Sequence, residues 1–574
     1  MSEQDLILLH APSVYDFRKE FLFYGPVSDL VPSSPVFEMY PFGFMTIAAH
    51  LHSLGYKVRI VNLASMMLND PDLDVPELVG RLRAKVFGID LHWLPHAHGA
   101  LEIAKIVKRK HPESKVVMGG YSSTYFHEEL IHYPQVDLVM RGDSTEVPMA
   151  EMMRALEKGS SLAKVQNLSW KEAKKVAHNP MTFVPEDLDY LDVDYGWIIR
   201  SVIRHRDLEG HKPFRDWDRY PLTVAFTVRG CYQKCLVCGG ACGAMRGFLG
   251  RRRAAFRSPE KVARDIYDIQ TYLKAPTFVV GDVRKGGRSY MKRFFSEVKR
   301  LGVDNHLILE LFTPADEAFF KLVESSVSEY SIEFSPDSHS EQVREALGRS
   351  FATEPMEKSI VHALDHSCKR FDLFFMIGLP EQTRQSAIDS AAYSGKLYSM
   401  VKDDPRLFVF ESPLAPFIDP GSEAFENPEA TGYRSFARTL EDHRQRLLSP
   451  SWKYVLSYET SWMSRDEIVE TTYGAADRLN EERHKHFYID SDELDVRLER
   501  TDMARNLMHW VDKIMEVDDP AERERQMSEL RDRCRDLMDS TICAKRELEW
   551  SSPGVIKSLP RAAIGLVRPR RRRY

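Results

Sequence analysis

Four of the seven cysteines stand together in Arg229 to Cys242, RGCYQKCLVCGGAC, while Cys368, Cys534 and Cys543 are scattered. Thiolates are soft ligands, and C-x3-C running into C-x2-C puts Cys231, Cys235 and Cys238 on one short loop. Three thiolates so placed can hold three corners of a 4Fe-4S cluster and leave the fourth iron open to bind and reduce something. Zinc is the competing reading, with Cys242 as a fourth ligand. The spacing favours iron, because zinc sites usually join two Cys-x2-Cys knuckles that lie far apart in sequence. An odd cysteine count in a long chain argues against a disulfide framework.

Such a loop needs a scaffold, and the pattern around it supplies one. From residue 5 to about 157, short β-branched runs alternate with amphipathic stretches, the signature of a parallel α/β sheet. The expected strands are Leu6 to Leu9, Lys57 to Val61, Val86 to Asp90, Lys115 to Met118 and Val136 to Met140, with helices over Gly43 to Leu54, Val75 to Arg83, His98 to Lys110 and Thr124 to Ile131. They fit a flavodoxin-like doubly wound domain ordered 2-1-3-4-5, which binds ligands at the carboxyl ends of its strands. Residues 158–215 lose this period and read as a connector with a hairpin near Leu168 to Val176. A second β/α series follows over 216–425, with strands at Pro221 to Thr227, Thr277 to Val280, Leu307 to Leu311, Tyr330 to Phe334, Leu373 to Ile377 and Leu407 to Glu411. Six such units predict an open (β/α)6 partial barrel, again with its site at the carboxyl ends. The cysteine loop comes directly after the first of these strands. Residues 426–574 read as helical and charged, including Tyr433 to Leu448 and Asp502 to Cys543, and are expected to cover the barrel mouth.

Composition narrows the class. The chain has 574 residues, 43% apolar and 29% charged, which excludes collagen, a disordered tail and a small disulfide scaffold. Its net charge of -6 gives no clear case for nucleic acid or for an anionic membrane as a general partner. No apolar run approaches the roughly 18 residues of a membrane span, and the start lacks a signal-peptide pattern, so the expected location is cytoplasmic.

The stretch FTVRGCYQKCLVCGG, following a barrel strand, resembles the cluster motif of the radical SAM superfamily. The α/β domain before it is similar to the cobalamin-binding domain of that superfamily's cobalamin-dependent branch, and the two likenesses cover about residues 5 to 425. The resemblance implies that Cys231, Cys235 and Cys238 ligate the cluster. It also implies that S-adenosylmethionine chelates the open iron and is cleaved by reduction to methionine and a 5′-deoxyadenosyl radical. Matches at the strand ends imply Asp282 for the methionine amino group, Glu333 and Ser335 for the ribose, Arg349 for the carboxylate, and Gly378, in Met376 to Glu381, beside adenine. Each also has a bland reading as a barrel-rim polar group or a turn glycine. The position before the third cysteine, often aromatic in the family, is Val237, and Cys242 reads as a bystander.

Cobalamin domains with a histidine on cobalt carry Asp-x-His-x-x-Gly after the first strand, where this chain has His10-Ala11-Pro12-Ser13. Asp90-Leu91-His92 follows the third strand and lacks the glycine, so His92 reads as a loop residue and cobalamin is expected without a protein histidine. Gly119 and Gly120 resemble the glycine pair that admits the nucleotide tail, and Arg141-Gly142-Asp143 echoes a usual Arg-Gly-Glu. The function implied is methyl transfer to an unactivated carbon of a small molecule or lipid, with an electron donor such as flavodoxin or ferredoxin. Radical rearrangement or cyclisation without methyl transfer is the alternative, and a non-catalytic metal-binding module is the alternative from another class. The terminal RPRRRRY reads as a solvated or locally docked tail, with peripheral contact to an anionic membrane, or RNA binding, as its competing roles.

Overall fold

The computed structural model describes residues 3–20, 36–172, 175–534, 547, 549, 550 and 554–567. Strands β1 (Gln4–His10), β2 (Val58–Asn62), β3 (Ala84–Asp90), β4 (Lys115–Gly119) and β5 (Leu138–Met140) pair in parallel in the order β2-β1-β3-β4-β5. Both faces of β1 are buried, as in a sheet covered on both sides. Successive side chains point to opposite faces, so Leu6 and Leu8 join Phe44, Met149 and Met153 on one side, while Ile7 and Leu9 join Leu101, Ala104 and Val107 on the other. The expected order 2-1-3-4-5 is the observed one. The hairpin read within the connector, β6 (Leu168–Glu172) and β7 (Lys175–His178), adds antiparallel to β5 and so completes this first sheet.

The second sheet opens with β8 (Thr223–Phe226). A two-stranded pair, β9 (Val228–Arg229) and β10 (Ala255–Phe256), brackets the cysteine loop. Then β11 (Thr277–Val280), β12 (Leu307–Leu311), β13 (Tyr330–Asp337), β14 (Phe371–Ile377) and β15 (Leu407–Pro413) pair in parallel in chain order after β8, leaving β8 and β15 as edges. This is the open six-stranded barrel that the pattern predicts. On β12 and β13, Leu309, Leu311, Ile332 and Phe334 pack into the core, and the alternate positions Glu310, Glu333 and Ser335 face the other way. The helix Pro259–Tyr272 begins with Pro in its first turn, and the Ser258 hydroxyl before it makes no cap bond.

The stretch Tyr433 to Leu448 departs from expectation. It holds β16 (Tyr433–Ser435), paired antiparallel with β17 (Tyr458–Thr460), and only then the helix Leu440–Arg446. Partner strands override local helix preference here. The long helix Arg465–Lys485 covers the β15 edge, where Arg483 donates to the carbonyl of Val409 at 2.8 Å. The helix Gly554–Val567 docks on the helix Pro259–Tyr272, with Arg561 donating to the Gln270 carbonyl at 3.3 Å. The arginine run 568–574 lies outside the described residues. Among the described residues no helix is long and apolar enough to cross a membrane.

Candidate functional site

Cys231, Cys235 and Cys238 are free thiols on the loop between β9 and the helix Cys242–Leu249. The loop is held from below by backbone bonds: the Leu236 amide donates to the Leu347 carbonyl at 2.8 Å, and the Cys242 amide donates to Gln233 at 2.9 Å. A side chain at Gly348, which has φ +91°, would strike the Lys234 carbonyl at 2.5 Å, so this turn needs glycine to press against the loop. Burial pushes all three thiols up, and for Cys238 the nearby Asp419 and the other two cysteines push the same way. Three thiols on one short loop, each raised by burial, are a soft donor set that fits a three-ligand cluster. Cys242 starts a helix instead of sharing the loop.

The strand ends bring some of the expected residues together and divert others. Arg349 lies against Cys235, pairs with Asp337 at 2.8 Å and donates to the Ser335 carbonyl at 2.6 Å, placing it beside the thiols as read. Burial lifts Asp337 to about 6 against the pull of Arg349. Glu333 and Ser335 lie on the barrel's inner face, and burial together with Asp372 and Glu310 raises Glu333 to about 8. Asp282, by contrast, offers no free carboxylate: Arg284 holds both of its oxygens, at 2.8 and 2.6 Å, and the Phe312 amide donates to it at 3.2 Å. Glu310 stands at that strand end instead, accepting from the Gly281 amide at 2.7 Å and lifted by burial to about 7. It escaped the sequence reading because one acid in LILEL looks like an ordinary strand alternation. Gly378 has φ +95°, but the place of its missing side chain is taken by the Tyr458 hydroxyl, 3.0 Å away, so its freedom first serves packing of β17.

The carboxyl edge of the first sheet faces this loop. Arg229, two residues before Cys231, donates to Glu146 of the first region at 3.0 Å. Burial would raise Glu146, but Arg229 and Thr46 outweigh it and hold the carboxyl at about 2. Arg251, after the loop, pairs with Asp143. Asp419, beyond β15, accepts from Trp93 Nε1 at 2.6 Å and from the Gly239 amide at 3.0 Å, tying the β3 loop to the cysteine loop. A side chain on Gly239 would meet Tyr121 at 2.9 Å, so Tyr121, next to the Gly119-Gly120 pair, packs on the loop directly. Gly120 corrects its expected reason for being glycine. It has φ +118°, and a side chain there would strike the His92 backbone at 2.4 Å, so its bareness admits the β3 loop. Gly119 meets only the Met140 carbonyl, at 3.6 Å, and keeps the open approach. None of these cross-links was legible in sequence, because each joins residues tens to hundreds of positions apart.

The doubly wound sheet and the open six-stranded barrel thus meet at their carboxyl edges, with the three-thiol loop between them. Residues 30–150 match the family described as the B12 binding domain. In sequence the chain is 26% identical over 237 residues to an anaerobic magnesium-protoporphyrin IX monomethyl ester cyclase of Synechocystis, covering 40% of this chain and 43% of that protein. It thus spans less than half of that relative's length. It is 23% identical over 366 residues to an uncharacterized methyltransferase of Pyrococcus horikoshii, covering 60% of this chain and 74% of that one. In structure it is similar to the radical S-adenosylmethionine methyltransferase TsrM of Kitasatospora setae, solved with cobalamin and a 4Fe-4S cluster, with TM-score 0.56, 15% identity and coverage of 76% and 81%. It is also similar to the cobalamin-dependent S-adenosylmethionine radical enzyme OxsB, solved with aqua-cobalamin and S-adenosylmethionine, with TM-score 0.51, 12% identity and coverage of 98% and 79%. The latter likeness extends through the C-terminal helices.

Proposed function

We propose that this chain is a cobalamin-dependent radical SAM enzyme that transfers a methyl group to an unactivated carbon of a small molecule. One observation carries the reading: the free thiols of Cys231, Cys235 and Cys238 sit where Asp419, Glu146 and Tyr121 press the cysteine loop against the carboxyl edge of the B12-binding sheet. Cys231, Cys235 and Cys238 would hold the cluster, which would supply the electron for reductive cleavage of S-adenosylmethionine, and cobalamin would supply the methyl group, while the protein binds, orients and keeps out water. In this reading Arg349 would meet the carboxylate of S-adenosylmethionine, Glu333 and Ser335 its ribose, and Gly378, just after β14, its adenine. Burial lifts Glu333 to about 8 and Glu310 to about 7, so Glu333 above all can donate a hydrogen bond inside the barrel at neutral pH. Gly119 leaves room for cobalamin at the first edge.

In this reading residues 1–157 form the cobalamin domain, which the hairpin of the connector 158–215 extends; 216–425 form the barrel and 426–574 its flank and cover. A 4Fe-4S cluster needs a reducing compartment and a one-electron donor, which supports the cytoplasm and a flavodoxin or ferredoxin. TsrM, solved with tryptophan as substrate, supports a small molecule as the substrate class. Cyclisation without methyl transfer is the second reading, favoured by the sequence likeness to a cyclase. Anaerobic incubation with S-adenosylmethionine, cobalamin and a reductant tests the proposal: formation of 5′-deoxyadenosine or S-adenosylhomocysteine, abolished in Cys235→Ala, supports it, and unchanged S-adenosylmethionine defeats it. Extracts of a deletion strain, compared for products lacking a methyl group, separate methylation from cyclisation.

A further inference from the structure

A second group of ligand-type side chains gathers on the carboxyl edge of the first sheet, apart from the cysteine loop. His10 ends β1, Asp90 ends β3, and His92 and His96 follow β3; one ligand atom from each lies within 4.8 Å of one from every other. His10, Asp90 and His96 are fully buried and His92 is half-buried. The three rings stand 4.7 to 6.0 Å apart between centroids.

The hydrogen bonds decide what these groups can hold. His10 Nε2 lies 3.1 Å from the Phe37 carbonyl, and His96 Nδ1 lies 3.1 Å from the Ala11 carbonyl. A carbonyl only accepts, so each ring spends an N–H there and leaves its other nitrogen to take a proton or a metal ion. That nitrogen of His10, Nδ1, faces the Asp90 oxygens at 3.0 and 3.1 Å. His92 Nδ1 lies 2.6 Å from the same carboxylate, and His96 Nε2 is buried with no hydrogen-bond partner. Electron-rich atoms set this close need a cation among them, the proton of an imidazolium or a metal ion, and the unpartnered nitrogen of His96 favours the metal. Backbone carbonyls that fix the outer nitrogen of an imidazole are the usual supports of a metal-ligating histidine.

We propose that His10, Asp90, His92 and His96 form a mononuclear site for a divalent transition metal, zinc by ligand class, distinct from the cysteine-held cluster. Three imidazoles and one carboxylate suit zinc in number and hardness, and the single negative charge is offset by the metal. The ion would join the ends of β1 and β3 and steady the loop whose Trp93 bonds Asp419. The site leaves cobalt without a protein histidine, since His92 is committed to the ion.

The test uses the full chain purified anaerobically. Metal analysis should find about one zinc per chain beyond the iron. Zinc-edge X-ray absorption should show only nitrogen and oxygen neighbours, at about 2.0 to 2.2 Å, and no sulfur at about 2.3 Å. Asp90→Asn and His96→Ala should each lose the zinc while keeping iron and sulfide. His98→Ala should keep it, because that ring lies outside the group and accepts from the Tyr15 amide at 3.3 Å. Should a ligand variant fail to fold, wild-type protein stripped by a chelator should take back zinc and gain thermal stability. Absence of zinc uptake by the stripped wild type overturns the site, and so does zinc with sulfur neighbours. Nitrogen superhyperfine splitting in the electron paramagnetic resonance of cob(II)alamin-loaded protein, lost in His92→Ala, would also overturn it by giving His92 to cobalt. Zinc bound here in a protein that leaves S-adenosylmethionine intact would uphold the site and sink the proposed activity alone.

Discussion

The two parallel sheets turn their carboxyl edges toward each other, yet their buried carboxyls are in opposite states. On the first sheet's side Glu146 has Arg229 within hydrogen-bond reach and is held ionised. Inside the barrel no cation among the described residues comes that close to Glu310 or Glu333, and burial lifts them to about 7 and about 8, so that both carry protons well above the usual carboxylate range. Residue type and burial are alike in the two places; the partner decides the charge. One edge is therefore suited to clamping the two halves together, and the other to donating hydrogen bonds within a dry interior.

The sharpest way to break that contrast is at the loop between the edges. Cys235→Ala should lose most of the iron and sulfide found in the anaerobic wild type, whereas Cys242→Ala should keep both, as measured by metal and sulfide analysis. Next in size is the clamp. Glu146→Ala leaves Arg229 buried without its partner and should cost about 3 to 5 kcal/mol in denaturant unfolding. Gly120→Val forces a side chain into the His92 backbone at a positive φ, and should cost about 1 to 3 kcal/mol while weakening cobalamin uptake measured by absorbance.

The pH response is the smallest effect and sharpens the comparison most. An unfolded glutamate ionises near about 4.3, so Glu333, at about 8 when folded, binds more protons in the native state between those values. Its contribution is fully present below about 4.3 and is lost as pH rises through 8. Glu333→Gln should flatten the fall in stability over that interval, in unfolding measured across pH. Glu146 has the opposite sign: its contribution is present above the unfolded value and is lost as pH falls toward about 2.

Much of this architecture is legible in the sequence. The strands Thr277–Val280 and Leu307–Leu311 match their expected bounds because apolar runs end at turn residues there. The cysteine loop is legible because its ligands are neighbours in the chain. Its counterpart on the first sheet is not: His10 and His96 lie far apart, and only the parallel pairing of β1 with β3 unites them. Asp282 shows a subtler limit, since its strand-end place is plain in the sequence but its capture by Arg284, two residues on, depends on how the short turn Val283–Gly286 closes. Tyr433 to Leu448 misleads because its charge pattern suits a helix while β17 supplies a strand partner from later in the chain.

The bridge through Asp419 also bears on the order in which the molecule is made. Its partner Trp93 lies 326 positions earlier, and its other partner, Gly239, belongs to the loop of the thiols. A ribosome therefore releases all four clustered cysteines well before the residue that fastens their loop, and contacts of such long range close late. A product truncated before residue 419 would carry the cysteines without the fastening that holds their loop in place.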